Sequence, residues 1–414
     1  MSRQIKHGQS HASLLRDVSA SAVPPTRRRL DAIVVPTVRP SSSLRELIDL
    51  SVRLSVPLVV LCSRQAQVEQ VAQRVEKTFG ARALAVQVPE DYRLPGDTPL
   101  TSHKDIQEAC AGRSSDLSVK RNIGLRLGRM QGWNKLLFVD DDIMHFRPTQ
   151  IERLASVLDR HPVASMVSRD FPDNSVVCHA RRLAGLDQDV FVSGAVLGVN
   201  LQNPALSFFP DIYNEDWFFF ARHAAARYLP KIGEVRQAEY LPFYDPVRAE
   251  REEFGDLLAE GLYALFETTP GWDFRDQLTA ATKASHWQRF IEIRLEMIDE
   301  ISDSLSRAQY RTGVDYPTIL QAQESLRLAE KQVRRVISPG LCVDFIEKWQ
   351  EDEFRWQQAL RNYTTVLSER DALAELELTQ WISCGYGVKP MSFGAPDALA
   401  SSAEPNLATA RPVG

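Results

Sequence analysis

Three consecutive aspartates, Asp140-Asp141-Asp142, directly follow the apolar run LLFV. Adjacent carboxylates repel one another unless water or a cation compensates them. Along an extended chain, alternation would put Asp140 and Asp142 on one side and Asp141 on the other. Two oxygen donors on one side suit Mg2+ or Mn2+, hard ions commonly shared with substrate phosphates. The bland alternative is a solvated acidic turn ahead of the helix that opens at Pro148.

Other groups stand in an order that lets them join the triplet. Lys120-Arg121-Asn122 lies on the helix before the aspartate strand, where basic and amide groups either grip a pyrophosphate or face solvent. Pro36, Thr37 and Arg39 follow the first strand, where a nucleotide base or phosphate would lie. Glu215-Asp216 opens the aromatic segment EDWFFFAR. Carboxylates beside Phe and Trp are poorly solvated, which raises a pKa toward that of a useful base. Acids at a helix start also complement its dipole. His223, further along that helix, is a candidate third metal ligand. His179 ends an expected strand SVVCHA and is read as structural, with acceptor or metal contact as the alternative. Asp173-Asn174 ahead of that strand reads as an Asx turn or as a contact to sugar hydroxyls. Trp217 and Phe218–Phe220 read as core, with one ring available to stack on a sugar.

These groups need elements to position them. AIVV (32–35), LVVLCS (58–63), ALAVQV (83–88) and KLLFV (135–139) are short apolar runs of strand length. Amphipathic helical segments separate them: LRELIDLSVRLS, a stretch near 66–79, and SVKRNIGLRLGRMQG. The pattern predicts an α/β fold with a mostly parallel sheet covered by helices on both faces. In such sheets ligands bind beyond the carboxyl ends of the strands, which directs attention to the residues just after Val35, Cys62 and Val139. From about residue 249 strand signals nearly vanish and helical periodicity takes over. The expected organisation is a mobile arm at 1–29, an α/β domain at 30–248, a helical region at 249–387 and a disordered tail at 388–414. Trp287, Trp349 and Trp356 suit helix packing, with an acceptor wall or a homo-oligomer interface as the functional alternatives.

Composition narrows the classes. The 414 residues carry 49 Lys and Arg against 54 Asp and Glu, a net charge of −5, which lacks the basic excess expected of a nucleic-acid partner. No run of apolar residues is long enough to span a bilayer, so no integral membrane association is expected. The five cysteines, Cys62, Cys110, Cys178, Cys342 and Cys384, form no CxxC pair and fit a reducing cytoplasm.

The order of pieces IVVPTVRP, LVVLCS, KRNIGLRLGRMQGWNKLLFVDDDI, FVSGAVLGV and NEDWFFFAR resembles a nucleotide-sugar glycosyltransferase of the GT-A type, close to the broad family-2 group, over roughly residues 31–245. The resemblance implies a GT-A-like, Rossmann-like domain, a nucleoside-diphosphate sugar donor, a hydroxyl-bearing acceptor, and Mn2+ or Mg2+. It implies that Asp140 and Asp142 hold the metal, with Asp140 and Asp141 also lying against the donor. Lys120, Arg121 and Asn122 would face the nucleotide and diphosphate, and Pro36, Thr37, Arg39 and Ser63 the base. Gly194 in SGA would line the sugar pocket. Asp216, with Glu215 beside it and Arg222 further on, would take the acceptor proton in an inverting transfer. Ser63-Arg64 stands where many members carry an acid that reads the base, so the nucleotide stays open. A retaining synthase of a small glycosylated solute (glyceric-acid type) and a non-catalytic sugar-nucleotide-binding scaffold are the competing readings. A nucleotidyltransferase would want a Gly-rich first loop, which PTVRPSSS lacks, and a phosphatase would want its aspartate after the first strand of the sheet.

Overall fold

A computed structural model of the protein describes residues 11–18, 29–96, 98–169, 175–188, 191–308, 315–387 and 391–393. The chain runs through β1 (Leu15–Asp17), β2 (Ala32–Thr37), α1 (Arg45–Leu54), β3 (Leu58–Cys62), α2 (Val68–Glu76) and β4 (Arg82–Gln87). It continues through α3 (Lys104–Ala109), α4 (Leu117–Met130), β5 (Lys135–Val139), β6 (Ile143–Met144), α5 (Pro148–Val157) and β7 (Val163–Arg169). Next come α6 (Val176–Leu183), β8 (Val196–Asn200), α7 (Glu215–Ala225) and β9 (Leu229–Gln237). The last part comprises α8 (Val247–Thr268), α9 (Phe274–Ala281), α10 (Ala284–Ala308), α11 (Tyr316–Arg335), α12 (Pro339–Arg361), α13 (Glu369–Glu375), β10 (Trp381–Gly385) and β11 (Met391–Phe393).

The four apolar runs become the centre of one sheet, parallel in the order β5-β2-β3-β4. Its flanks are mixed. β8 runs antiparallel between β5 and β7, β7 runs parallel to β9, and β9 carries β1 parallel and β6 antiparallel. At the other edge β10 pairs antiparallel with β4, and β11 with β10. Alternate residues of the central strands feed two cores. Ile33, Val35, Leu58 and Val60 pack with α1, α2 and α5, while Val34, Val59 and Leu61 face α4 and the later helices. Burial on both faces explains why these strands read as continuous apolar runs rather than as alternation.

The structure departs from the sequence reading in four places. SVVCHA is helical, not extended: Ser175 accepts from Cys178 N, and Glu252 of α8 accepts the Val176 N–H at 3.0 Å. Partners for the first N–H groups outweigh the strand preference of two valines. Within the expected arm, residues 11–18 belong to the fold, with β1 on the edge of β9 and His11 bonded to Glu260 of α8 at 2.8 Å. The expected tail supplies β11, and the expected helical region supplies β10. The rest of the arm and tail, and Asp173-Asn174, lie outside the described residues.

Nor is the helical region a separate body. One continuous apolar cluster joins Val34 and Leu61 of the sheet to Leu257, Phe345 and Trp349 of the helices. Its central helix, α8, is buried on nearly all sides and brings Glu252, Glu253, Asp256 and Glu260 inside with it. Each needs a cation or a donor there. Arg294 of α10 binds Glu253 at 2.7 and 2.9 Å and Asp256 at 2.6 Å, Arg248 binds Glu252, and His11 binds Glu260. Trp287, Trp349 and Trp356 are buried packing residues.

Candidate active site: an aspartate turn over a buried arginine

The parallel strands β2 and β5 lie side by side and end at one rim of the sheet, where both chains leave the ladder. The aspartate triplet follows β5 as a turn, so strand alternation does not govern it. All three aspartates line one cleft of about 250 Å³, together with Pro36, Thr37, Arg39, Arg64, Asp116 and Lys120. The expectation that Asp141 points away from its neighbours is therefore corrected. Thr37 Oγ1 donates to Asp141 at 2.5 Å, while Arg39 bridges Asp141 and, at 3.3 Å, Asp142. Asp142 Oδ2 also accepts from Gln237 Nε2 at 3.3 Å, so both of its contacts are long.

Beneath the turn lies Arg121, 2% exposed. Its Nη2 donates to both oxygens of Asp140 at 2.9 and 3.1 Å, and its Nη1 to Glu215 at 2.5 Å. Burial would lower this guanidinium, but the charges of Asp140, Glu215 and Asp216 outweigh it and raise its pKa. Burial pushes the Asp140 carboxyl up, Arg121 pulls it back, and Asp142 and Glu215 push it up again, leaving it at about 7. One arginine thus serves a site with more negative than positive charge.

Helix α4 can deliver Arg121 because it lies hard against the sheet. A Cβ on Gly124 would stand 2.8 Å from Phe138, and one on Gly128 would stand 2.5 Å from Leu201. Lys120 on the same turn is fully buried, and burial lowers its pKa against the pull of Asp116. Its ammonium donates to Thr37 O at 2.8 Å and Ser63 Oγ at 2.7 Å, and pairs with Asp116 at 2.9 Å. Lys120 therefore ties the ends of β2 and β3 together. Ser63 Oγ donates in turn to Asp116 Oδ2 at 2.5 Å.

Gly194 touches the same cluster. A Cβ there would lie 2.6 Å from Arg121 Nη1 and 2.9 Å from Asp216 Cβ. The Gly194 N–H donates to Asp216 Oδ2, and Asp216 Oδ1 accepts the Trp217 N–H at 2.9 Å. Asp216 thus fastens the segment before β8 to the start of α7.

Three expected site residues lie elsewhere. Asn122 turns from the cleft and bonds the backbone of Phe209 at both its amide atoms, 2.8 and 2.9 Å. His223 sits beside Arg222 and His161, burial and their charge interactions lower its pKa to about 4, and it is not among the residues that line the triplet's cleft. Arg222 stacks on Phe274 at 4.7 Å and faces the helical region. His179 bonds the Tyr240 hydroxyl at 3.1 Å, as a structural histidine would. The sequence reading missed Asp116, although its i,i+4 spacing to Lys120 at the start of α4 was visible.

Among the described residues no cluster of three or more His, Cys, Asp and Glu is placed to hold a metal, and no helix is long and apolar enough to cross a membrane. No protein-family model and no curated protein matches the chain. Among solved structures, a mannosyltransferase from Pyrobaculum calidifontis, determined with GDP-mannose and Mn2+, aligns with 80% of this chain and 89% of its own. The identity is 14% and the TM-score 0.38, a likeness too distant to transfer chemistry.

Proposed function

We propose that the chain is a metal-dependent glycosyltransferase of the GT-A type that moves a hexose from a nucleoside-diphosphate sugar to a hydroxyl-bearing acceptor. The observation that carries this reading is the convergence of Asp140, Asp141, Asp142 and Arg39 on one cleft beyond the carboxyl ends of β2 and β5, with Arg121 buried beneath it. The donor set suits a hard divalent cation: Asp140 and Asp142 would hold Mn2+ or Mg2+, with water and diphosphate oxygens completing its shell. Bound there, the ion would offset charge on the departing nucleoside diphosphate.

The chain's own residues do the rest. Arg121 holds Asp140 in place from below and pulls it toward its charged form. Arg39, now bridging Asp141 and Asp142, is the cation positioned to turn to a phosphate. Lys120 acts as a positioning residue that fixes the β2 and β3 ends forming the nucleotide wall. Asp116, bonded to Ser63, supplies a carboxylate at the end of β3 and is our candidate reader of the base or ribose.

In an inverting transfer Asp216 is the base, with Glu215 orienting Arg121 beside it. Each Asp216 oxygen already accepts one backbone N–H, from Gly194 or Trp217, and would take the acceptor proton on its remaining lone pair. The same two bonds fit a second reading, a retaining enzyme in which Asp216 only latches the SGA segment. Calorimetry with UDP-, GDP- and dTDP-sugars, with and without Mn2+, tests the proposal. At least one donor should bind only with Mn2+, and Asp142→Ala should abolish that binding. No donor binding by the wild-type chain, or unchanged Mn2+-dependent binding by the variant, removes the cleft from this role.

A further inference from the structure

Past the aspartate turn the chain enters a second and wider groove, of about 970 Å³, between the β6–α5 corner and the 231–236 stretch of β9. It adjoins the first cleft through the backbone. His145 lies three residues beyond Asp142, no more than about 10 Å of extended chain. Gln237, next to Arg236, donates to Asp142.

The groove is basic. Arg147, Arg153, Arg169, Lys231 and Arg236 line it against two acids, Asp17 and Glu234. Both acids are already paired, Asp17 with Lys231 at 2.9 Å and Glu234 with Arg169 at 2.9 Å. Arg147 and Arg153, one face of α5 and its start, therefore contribute charge beyond those pairs. The Arg153 Nε–H is buried without a hydrogen-bond partner, and so is Gln150 Oε1 beside it.

The backbone is shaped here as well. β9 carries one more residue than β7 between the pairs Ser165–Lys231 and Val167–Glu234. Gly233 takes φ +105° within this bulge, and a Cβ on it would stand 2.9 Å from Gln150 Nε2. Bulges of this kind re-aim side chains beside functional sites.

We propose that this groove receives the acceptor, and that the acceptor is anionic: a hydroxyl compound bearing a phosphate or a carboxylate, which Arg147 and Arg153 bind. The inference rests on transfer at the aspartate cleft. In that transfer the acceptor oxygen bonds to the anomeric carbon, and the bond to the nucleoside diphosphate breaks with its electron pair leaving on the diphosphate. The hydroxyl proton passes to Asp216 in the inverting reading or to the leaving diphosphate in the retaining one.

The test titrates the full chain with inorganic phosphate and, separately, acetate, and follows Mn2+-dependent nucleoside-diphosphate binding in parallel. At least one anion should bind, and Arg153→Gln and Arg147→Gln should each weaken it about tenfold. Nucleoside-diphosphate binding and the thermal midpoint should hold. Which anion binds distinguishes phosphate from carboxylate acceptors. Failure of both anions to bind, or wild-type affinity in both variants, overturns the proposal. If wild-type chain binds no nucleoside diphosphate but keeps an Arg153-dependent anion site, the transfer reading fails and the anionic groove stands.

Discussion

Arg121 is the residue on which the proposed site most depends, and Arg121→Met is its sharpest test. Methionine fills much of the same volume but leaves Asp140 and Glu215 without the cation they share. Removing one partner of a buried ion pair costs about 3 to 5 kcal/mol, because the remaining charges stay buried and unpaired. An unfolding entropy of about 2.1 cal/mol/K per residue over 414 residues gives about 0.9 kcal/mol per kelvin. The midpoint should therefore fall by about 3 to 6 °C in differential scanning calorimetry of the metal-free chain. The loss should depend on pH. The Asp140 carboxyl stands at about 7, so at pH 8 it is charged and loses its partner, whereas at pH 5 it carries a proton and only the Glu215 pair is lost. The penalty should be larger at pH 8, and Asp140→Asn added to Arg121→Met should recover part of it there. A midpoint within about 1 °C of wild type at pH 8, or equal losses at both pH values, would refute the buried three-group cluster.

Three further outcomes rest on the same geometry. Gly194→Ala places a methyl 2.6 Å from Arg121 Nη1; it should cost about 1 to 3 kcal/mol and weaken donor binding, and wild-type calorimetry on both counts would show that the contact relaxes freely. His11 is raised from 6.5 to about 9: burial lowers it, but Glu260 and Glu267 raise it by more. Its contribution, about 3 kcal/mol, is complete below pH 6.5 and lost as pH rises through 9, so His11→Gln should unfold earlier than wild type at pH 6 and merge with it by pH 10. Midpoints that differ equally at both ends would exclude the ion pair as the cause. Asp216→Asn should leave Mn2+-dependent donor binding in place and slow transfer by more than about a hundredfold if Asp216 is the base, while product analysis showing retained configuration and a modest rate loss would assign it to the latch alone.

The sequence was most legible where one kind of residue dominated a short segment. LVVLC and KLLFV are buried on both faces, and a buried strand has no alternation to misread. The triplet, Thr37, Arg39, Lys120 and Arg121 were readable because strand order predicts which loops share a rim. SVVCHA was misread because its helix depends on Glu252 and Asp256, which approach from α8 roughly eighty residues later. The N-terminal strand was illegible for a similar reason: LRD has no pattern of its own and is held by the edge of β9. The burial of the acids of α8 has no local signal, because Arg294 and His11 arrive from two other segments and only Arg248 comes from the same helix. Asn122 looked like a ligand group because its neighbours are site residues, but helix periodicity turns it toward Phe209.

The closing strand of the sheet has a consequence for how the chain is made. The outer edge of β4 is covered by β10, whose residues leave the ribosome about 300 positions later. At about 5 to 20 residues per second, that edge stands unpaired for roughly 15 to 60 s of synthesis. An apolar strand with a free hydrogen-bonding edge is a template for the wrong partner. The first βα units can form early, but the outer edge of β4 is closed only once β10 has been made. During that interval the newborn chain is at greatest risk of pairing with another copy, so the span from β4 to β10 is a window for chaperone protection.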